Sequence, residues 1–203
     1  MIREIRRESE HAEVARLMRR SFGTVARELG LTEESAPTNP AFVTVERLRA
    51  FLKRGAKLFG LFDQGEIIGC VAIEPAEDAA PGDAAPVGTA AAVAGAAGAE
   101  GVYYLERLAV APERRHCGHG SALLAYAVDR IQKAGGRVVS IALIDDNRVL
   151  KEWYREKGFV ETGRRRFDHL PFEVCFMSRK LAAGKLPRRR RSSASPRECG
   201  AET

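Results

Sequence analysis

The 203-residue chain has no apolar run long enough to cross a bilayer as a helix, and its opening residues, MIREIRRESE, hold no hydrophobic core of the kind a secretory leader needs. Those absences exclude a helical membrane protein and point to the cytoplasm. Its four cysteines, Cys70, Cys117, Cys175 and Cys199, are far apart with no CxxC pair, which argues against a zinc site and against a disulfide framework. Reduced thiols are expected. A P-loop is also missing, because Gly120 is followed by Ser121 and not by Lys, and a dinucleotide fingerprint is missing, because its third glycine would stand at position 123, which is Leu. The length allows one domain with a sizeable core and makes a second full domain unexpected.

What is present begins with charge. The formal net charge is +6, but residues 184–203 contain six basic and two acidic side chains, so this stretch supplies most of it. The segment PRRRRSSASPR has almost nothing apolar to bury and is expected to be disordered, either as a solvated basic extension or as a polyanion-binding tail. Nucleic acid is a candidate partner only through that tail. A second unusual segment, residues 76–101, contains twelve Ala, five Gly and only two Val, and reads as a flexible surface insertion. The domain proper is therefore expected over residues 1–181, with residues 182–203 as the tail.

The remaining elements follow in a definite order. IREIRRE reads as a short strand, and Ser9 can cap a helix running to about Phe22, with Val14, Leu17 and Met18 on one face. Thr44 can cap VERLRAFLKR, which Gly55 stops. KLFGLFD and EIIGCVAIE form a hairpin across Gln64-Gly65. After the Ala-rich insertion come the strand VYYLERLAV, a helix from about Gly118 to Ala134, the strand RVVSIAL, a helix from Arg148 to Lys157, and the strands FVETGRRRF and FEVCFMSRKL. The helix after Gly120 carries Leu123, Leu124, Ala127, Val128 and Ile131 on one face, so its N-terminus should point free N–H groups towards the end of VYYLERLAV. Such donors, with the helix dipole and glycines that allow close approach, suit a phosphate ester.

The ester is narrowed by the spacing Arg115-x-x-Gly118-x-Gly120 directly after Leu108-Ala109-Val110. This resembles the acetyl-coenzyme A (acetyl-CoA) signature of the Gcn5-related N-acetyltransferase (GNAT) superfamily. NRVLKEWYREKGF, residues 147–159, resembles the second signature of the same family, with Asn147 opening a helix, Tyr154 seven residues on, and Gly158-Phe159 leading into a strand. The element order from Ile2 to Leu181 is similar as well. The resemblance implies a mixed central sheet of about seven strands flanked by four helices, and transfer of an acetyl group from acetyl-CoA to an amine, small or peptidic. It requires no metal, and it suits a monomer or a homodimer.

The resemblance also suggests roles. Leu108, Ala109 and Val110 would line the cofactor arm, and a backbone N–H near Val110 would meet the developing oxyanion. Arg115, His116, Cys117, Gly118, His119, Gly120 and Ser121 would form the diphosphate loop, with Arg114 beside it, and Asn147 would contact the pantetheine amides. Tyr154 would protonate the leaving thiolate or only orient the sulfur. An amine nucleophile must lose a proton, and strand alternation places Tyr104, Glu106 and Leu108 on one face, with Glu106 the carboxylate nearest the strand end. Glu106 is thus the candidate base, directly or through water, although the family's best-known catalytic Glu aligns nearer Tyr104; a structural strand carboxylate is the alternative. His169, between the last two strands, is either an acceptor ligand, a second base or a structural residue. Cys117 is read as a loop residue, and Trp153 as packing in the core. The alternative from another functional class is a catalytically silent CoA-binding sensor, or a polyanion-binding module, on the same fold.

Overall fold

The computed structural model describes residues 1–76 and 100–182. The Ala-rich stretch, apart from its ends, and the Arg-rich tail lie outside the described residues.

The sequence order of elements is the observed order. Strand β1 (Ile2–Glu4) leads into helix α1 (Glu8–Glu28), a 3-10 turn (Pro40–Phe42) and helix α2 (Val45–Leu52). Strands β2 (Lys57–Asp63), β3 (Glu66–Pro75) and β4 (Val102–Val110) precede helix α3 (His119–Lys133), strand β5 (Val138–Ile144), helix α4 (Arg148–Glu156), and strands β6 (Val160–Arg166) and β7 (Glu173–Lys180). All seven strands join one sheet in the order β1-β2-β3-β4-β5-β7-β6. Gln64 and Gly65 both have positive φ, 48° and 89°, the backbone that a tight two-residue hairpin between β2 and β3 demands. Thr44 Oγ1 accepts the Arg47 N–H at 3.2 Å, so the expected cap of α2 forms.

Helix α1 differs from expectation at both ends. It starts at Glu8 after Arg7, with no side-chain cap from Ser9, and runs six residues past Phe22. Gly23 does not stop it, because the last turns are held by tertiary contacts: Ala26 is buried, and Arg115 reaches across to bond Ser21 and Thr24. Packing has outweighed the roughly 1 kcal/mol that a mid-helix glycine costs.

The sheet separates two cores. On one face, Val14, Ala15, Leu17 and Met18 of α1 and Leu48 and Phe51 of α2 pack on Leu58, Cys70, Ala72 and Ala109. On the other, α3 buries the five expected residues, Leu123 to Ile131, on Phe59, Val71, Ile73 and Leu105, joined by Tyr154 of α4 and Phe159. Gly69 makes the second packing possible, because a Cβ there would sit 2.9 Å from Leu123 Cδ1 and 3.1 Å from the Ala109 carbonyl oxygen.

One pairing is parallel, and it is short. β4 and β5 pair only through Val102–Tyr104 and Val138–Ser140, while β5 continues to pair with β7 as far as Ile144. Beyond Tyr104 the facing edges of β4 and β5 are unpaired, and the sheet is open there.

Candidate active site

The opening between β4 and β5 is bounded by the elements that carry the two motifs. The β4 ladder with β3 shifts register between Cys70 and Ala72, so that Val71 faces both Arg107 and Leu108. Arg107 takes φ +55°, a left-handed backbone uncommon outside glycine, and forms the extra residue of a β-bulge. The bulge corrects the expected alternation. Tyr104 and Glu106 do share a face, opposite Glu74 and Ala72, but Leu108 is turned to the α3 side, where it packs with Val110 on that core. Arg107 instead joins Glu106 on the α2 side, its guanidinium carbon 4.3 Å from the centre of the Phe51 ring.

The backbone at the end of β4 points into the opening. The Ala111 N–H donates to the Ile68 carbonyl at 2.9 Å, on the β3 side. Because successive N–H groups of a strand alternate sides, the Val110 N–H is directed towards the opening, as an oxyanion donor requires.

The loop after β4 turns sharply. His116 (φ +63°) and Gly118 (φ +81°) both adopt left-handed backbone, and Gly118 is the N-cap of α3 without a side-chain cap. The first-turn N–H groups, at His119, Gly120 and Ser121, have no intrahelical acceptor. A Cβ on Gly120 would lie 3.6 Å from Trp153 and 4.0 Å from Val110, so α3, α4 and β4 converge at this point. Trp153 is half-buried against the core and edge-on to Tyr154 at 4.9 Å. Arg115 donates to Thr24 Oγ1 at 3.0 Å and to the Ser21 carbonyl at 2.7 Å, so its side chain ties the loop to α1. Arg114 pairs with Asp63 at 3.4 Å. Cys117 is exposed with its thiol donating to the Arg115 carbonyl at 3.4 Å, and Cys70 and Cys175 are buried free thiols.

Asn147 caps α4, its Oδ1 accepting the Leu150 N–H at 3.1 Å. Seven residues on, two helical turns place Tyr154 on the same side, 5% exposed. Burial raises its phenol above the usual range, so it stays protonated. The base of α4 is held by Lys151, which is 6% exposed and pairs with Asp145, itself 3.3 Å from Arg164. Asp145, Glu161 and Cys175 bring ligand atoms within 4.8 Å of one another, but the two carboxylates are already committed to Lys151 and Arg164.

Glu106 lies on the opposite face from Tyr154. It is buried, its Oε1 has no hydrogen-bond partner among the described residues, and burial pushes its carboxyl up to about 8, with Glu74 adding to the rise and Arg107 and Arg54 opposing it. Tyr104 is fully buried beside these carboxyls, and burial with both of them raises its phenol. His169 stands apart: it is exposed on the β6–β7 turn with its ring 5.8 Å from Phe167. The charged side chains Arg107, Glu74 and Arg54 were not foreseen. The signal was the Glu-Arg pair inside an otherwise apolar strand, but its meaning depends on the bulge.

The sequence profile of the Acetyltransferase (GNAT) family matches residues 18–159. The chain belongs to the GNAT family. A curated relative of this GNAT chain, the amino-acid acetyltransferase of Pseudomonas putida, is 30% identical over 135 residues, which is 66% of this chain and 26% of that protein. The chain thus spans about a quarter of that relative's length. Among solved structures, the ribosomal-protein-alanine N-acetyltransferase of Brucella melitensis superposes with TM-score 0.63 at 18% identity, covering 89% of this chain and 99% of that one. The PaiA N-acetyltransferase of Thermoplasma acidophilum, solved in complex with coenzyme A, superposes with TM-score 0.66 at 17% identity, covering 89% and 98%. At those identities the likeness is of fold, a GNAT sheet of seven strands with four helices. No described helix is long and apolar enough to cross a membrane.

The GNAT site fits acetyl-CoA on its own geometry. Unpaired strand edges offer main-chain partners to an extended amide chain, the free N–H groups of α3 face the same opening, and a left-handed glycine cap leaves their approach clear.

Proposed function

We propose that this GNAT chain is a cytoplasmic N-acetyltransferase that passes an acetyl group from acetyl-CoA to a primary amine by direct attack. The observation that carries this reading is the opening between β4 and β5, flanked by a buried carboxyl on one face and a buried phenol on the other. Acetyl-CoA, when bound, supplies an activated acyl carbon and a thiolate leaving group. The first-turn amides of α3 hold its diphosphate, and the edges of β4 and β5 hold its pantetheine arm.

Each side chain then has a separate task. Glu106, on the α2 face, takes the proton that the acceptor ammonium must lose, directly or through water. The Val110 N–H stabilises negative charge on the carbonyl oxygen. Tyr154, protonated on the α4 face, donates to the departing sulfur. The names of the relatives favour an α-amine as acceptor, since one is named for amino acids and the other for an alanine of a ribosomal protein.

Thiol release from acetyl-CoA, followed with a panel of primary amines, tests the reading. Amine-dependent release should be clear in the native chain and should fall about 100-fold or more in Tyr154→Phe. Coenzyme A binding with no release for any amine would refute the transferase reading and favour a sensor.

A further inference from the structure

The acceptor face holds a charged group that acetyl transfer alone does not use. Arg107 lies beside Glu106 in sequence, and the bulge turns both side chains to the α2 face, whereas a regular strand would send consecutive side chains to opposite faces. Holding a non-glycine residue at φ +55° strains the backbone, and the surrounding sheet must offset that strain. The Phe51 ring covers one flat side of the guanidinium and leaves the N–H edge for in-plane bonds. Yet Arg107 Nε and Nη1 are buried without a hydrogen-bond partner among the described residues, as are Glu106 Oε1 and the Tyr104 hydroxyl. Arg54 stands 3.7 Å from Glu74, and this neighbouring pair brings opposite charges to bear on Glu106.

Unmet guanidinium donors are best satisfied by a planar anion that accepts two parallel bonds, which a carboxylate does. In an α-amino acid the carboxylate and the amine sit on one carbon, so their receptors must be adjacent. A cation and a base at consecutive positions on one face supply that adjacency. We propose that Arg107 is an acceptor-binding residue that takes the carboxylate of a free α-amino acid and so holds its amine beside Glu106. The proposal rests on the acetyl-transfer reading above. A peptide N-terminus has a neutral amide where the free amino acid has its carboxylate, and it would leave Arg107 Nε and Nη1 without a charged hydrogen-bond acceptor.

The test compares the twenty standard L-amino acids with their α-carboxamides, and with a peptide beginning in alanine, on the full chain. For at least one amino acid, kcat/KM should exceed that of its carboxamide by roughly 10- to 100-fold, the value of a lost charge-assisted bond. Arg107→Gln should erase that difference, and Arg107→Lys should restore part of it. Carboxamides or the peptide acetylated as well as the acids by the native chain would overturn the proposal, and this comparison needs no variant to fold. Calorimetric titration of the CoA-loaded chain with the same compounds separates the two claims. Acids that bind where carboxamides do not, without turnover, would uphold the carboxylate site while the transfer reading fails, and binding of neither would overturn it.

Discussion

At the scale of single residues, Glu106 and Tyr154 are neutral at pH 7 for the same physical reason, burial, but only Glu106 can ionise in the working range. If Glu106 is the base, kcat/KM should rise with pH and level off above about 8, and this limb should vanish with most of the activity in Glu106→Gln. Its stability effect has the opposite sign. The folded carboxyl, at about 8, keeps a proton that the unfolded chain has lost above roughly 4.3, so this group's contribution is complete below that lower value and is lost as pH rises towards 8. Glu106→Gln should therefore stabilise the fold at pH 8 and flatten the pH dependence of urea midpoints; an unchanged pH dependence would count against an uncompensated buried carboxyl. The position of Tyr154 on α4 was legible because its relation to Asn147 is a fixed count along one helix, whereas its role came only through the family resemblance. Arg107 was not, because its side-chain direction depends on how two strands pair, which no local spacing records.

At the scale of elements, each piece of the site depends on a packing contact behind it. Gly69 lets α3 lie close on the sheet, and Gly69→Ala should cost about 1–3 kcal/mol through Leu123 and the Ala109 carbonyl, read from the shift in chemical denaturation. The N-terminal half of α4 is anchored by buried Lys151, paired with half-buried Asp145. Asp145→Asn should destabilise by about 3 kcal/mol, because Lys151 is left buried without its counter-ion. A loss under about 1 kcal/mol would contradict the anchoring role of the pair. Strand and helix identities were legible wherever hydrophobic period was strong, as in β2, β4 and α3. The end of α1 was not, because the contacts that prolong it past Gly23 come from Arg115, more than ninety residues away. The bulge in β4 escaped for a similar reason: alternation predicts a face for Leu108 that the register shift reverses.

At the scale of the whole molecule, the sheet acts as a partition. The α1/α2 face carries Glu106 and Arg107, the α3/α4 face carries Tyr154 and the glycine-bearing loop before α3, and the opening between β4 and β5 connects them. The order of elements that builds this partition was readable from the chain, because most helices and strands are separated by clear punctuation. The short parallel pairing that leaves β4 and β5 open has no mark in the spacing of either strand. The basic segment adds a separate prediction: deleting residues 184–203 removes a formal charge of +4, and any binding to nucleic acid should disappear with it and should weaken steeply with salt before deletion. The most direct test of the central claim, that the opening between β4 and β5 holds a coenzyme A thioester between a base and an acid, is calorimetric titration of the full chain with coenzyme A. Saturable one-to-one binding is the expected result, and no heat of association at millimolar coenzyme A would contradict the account.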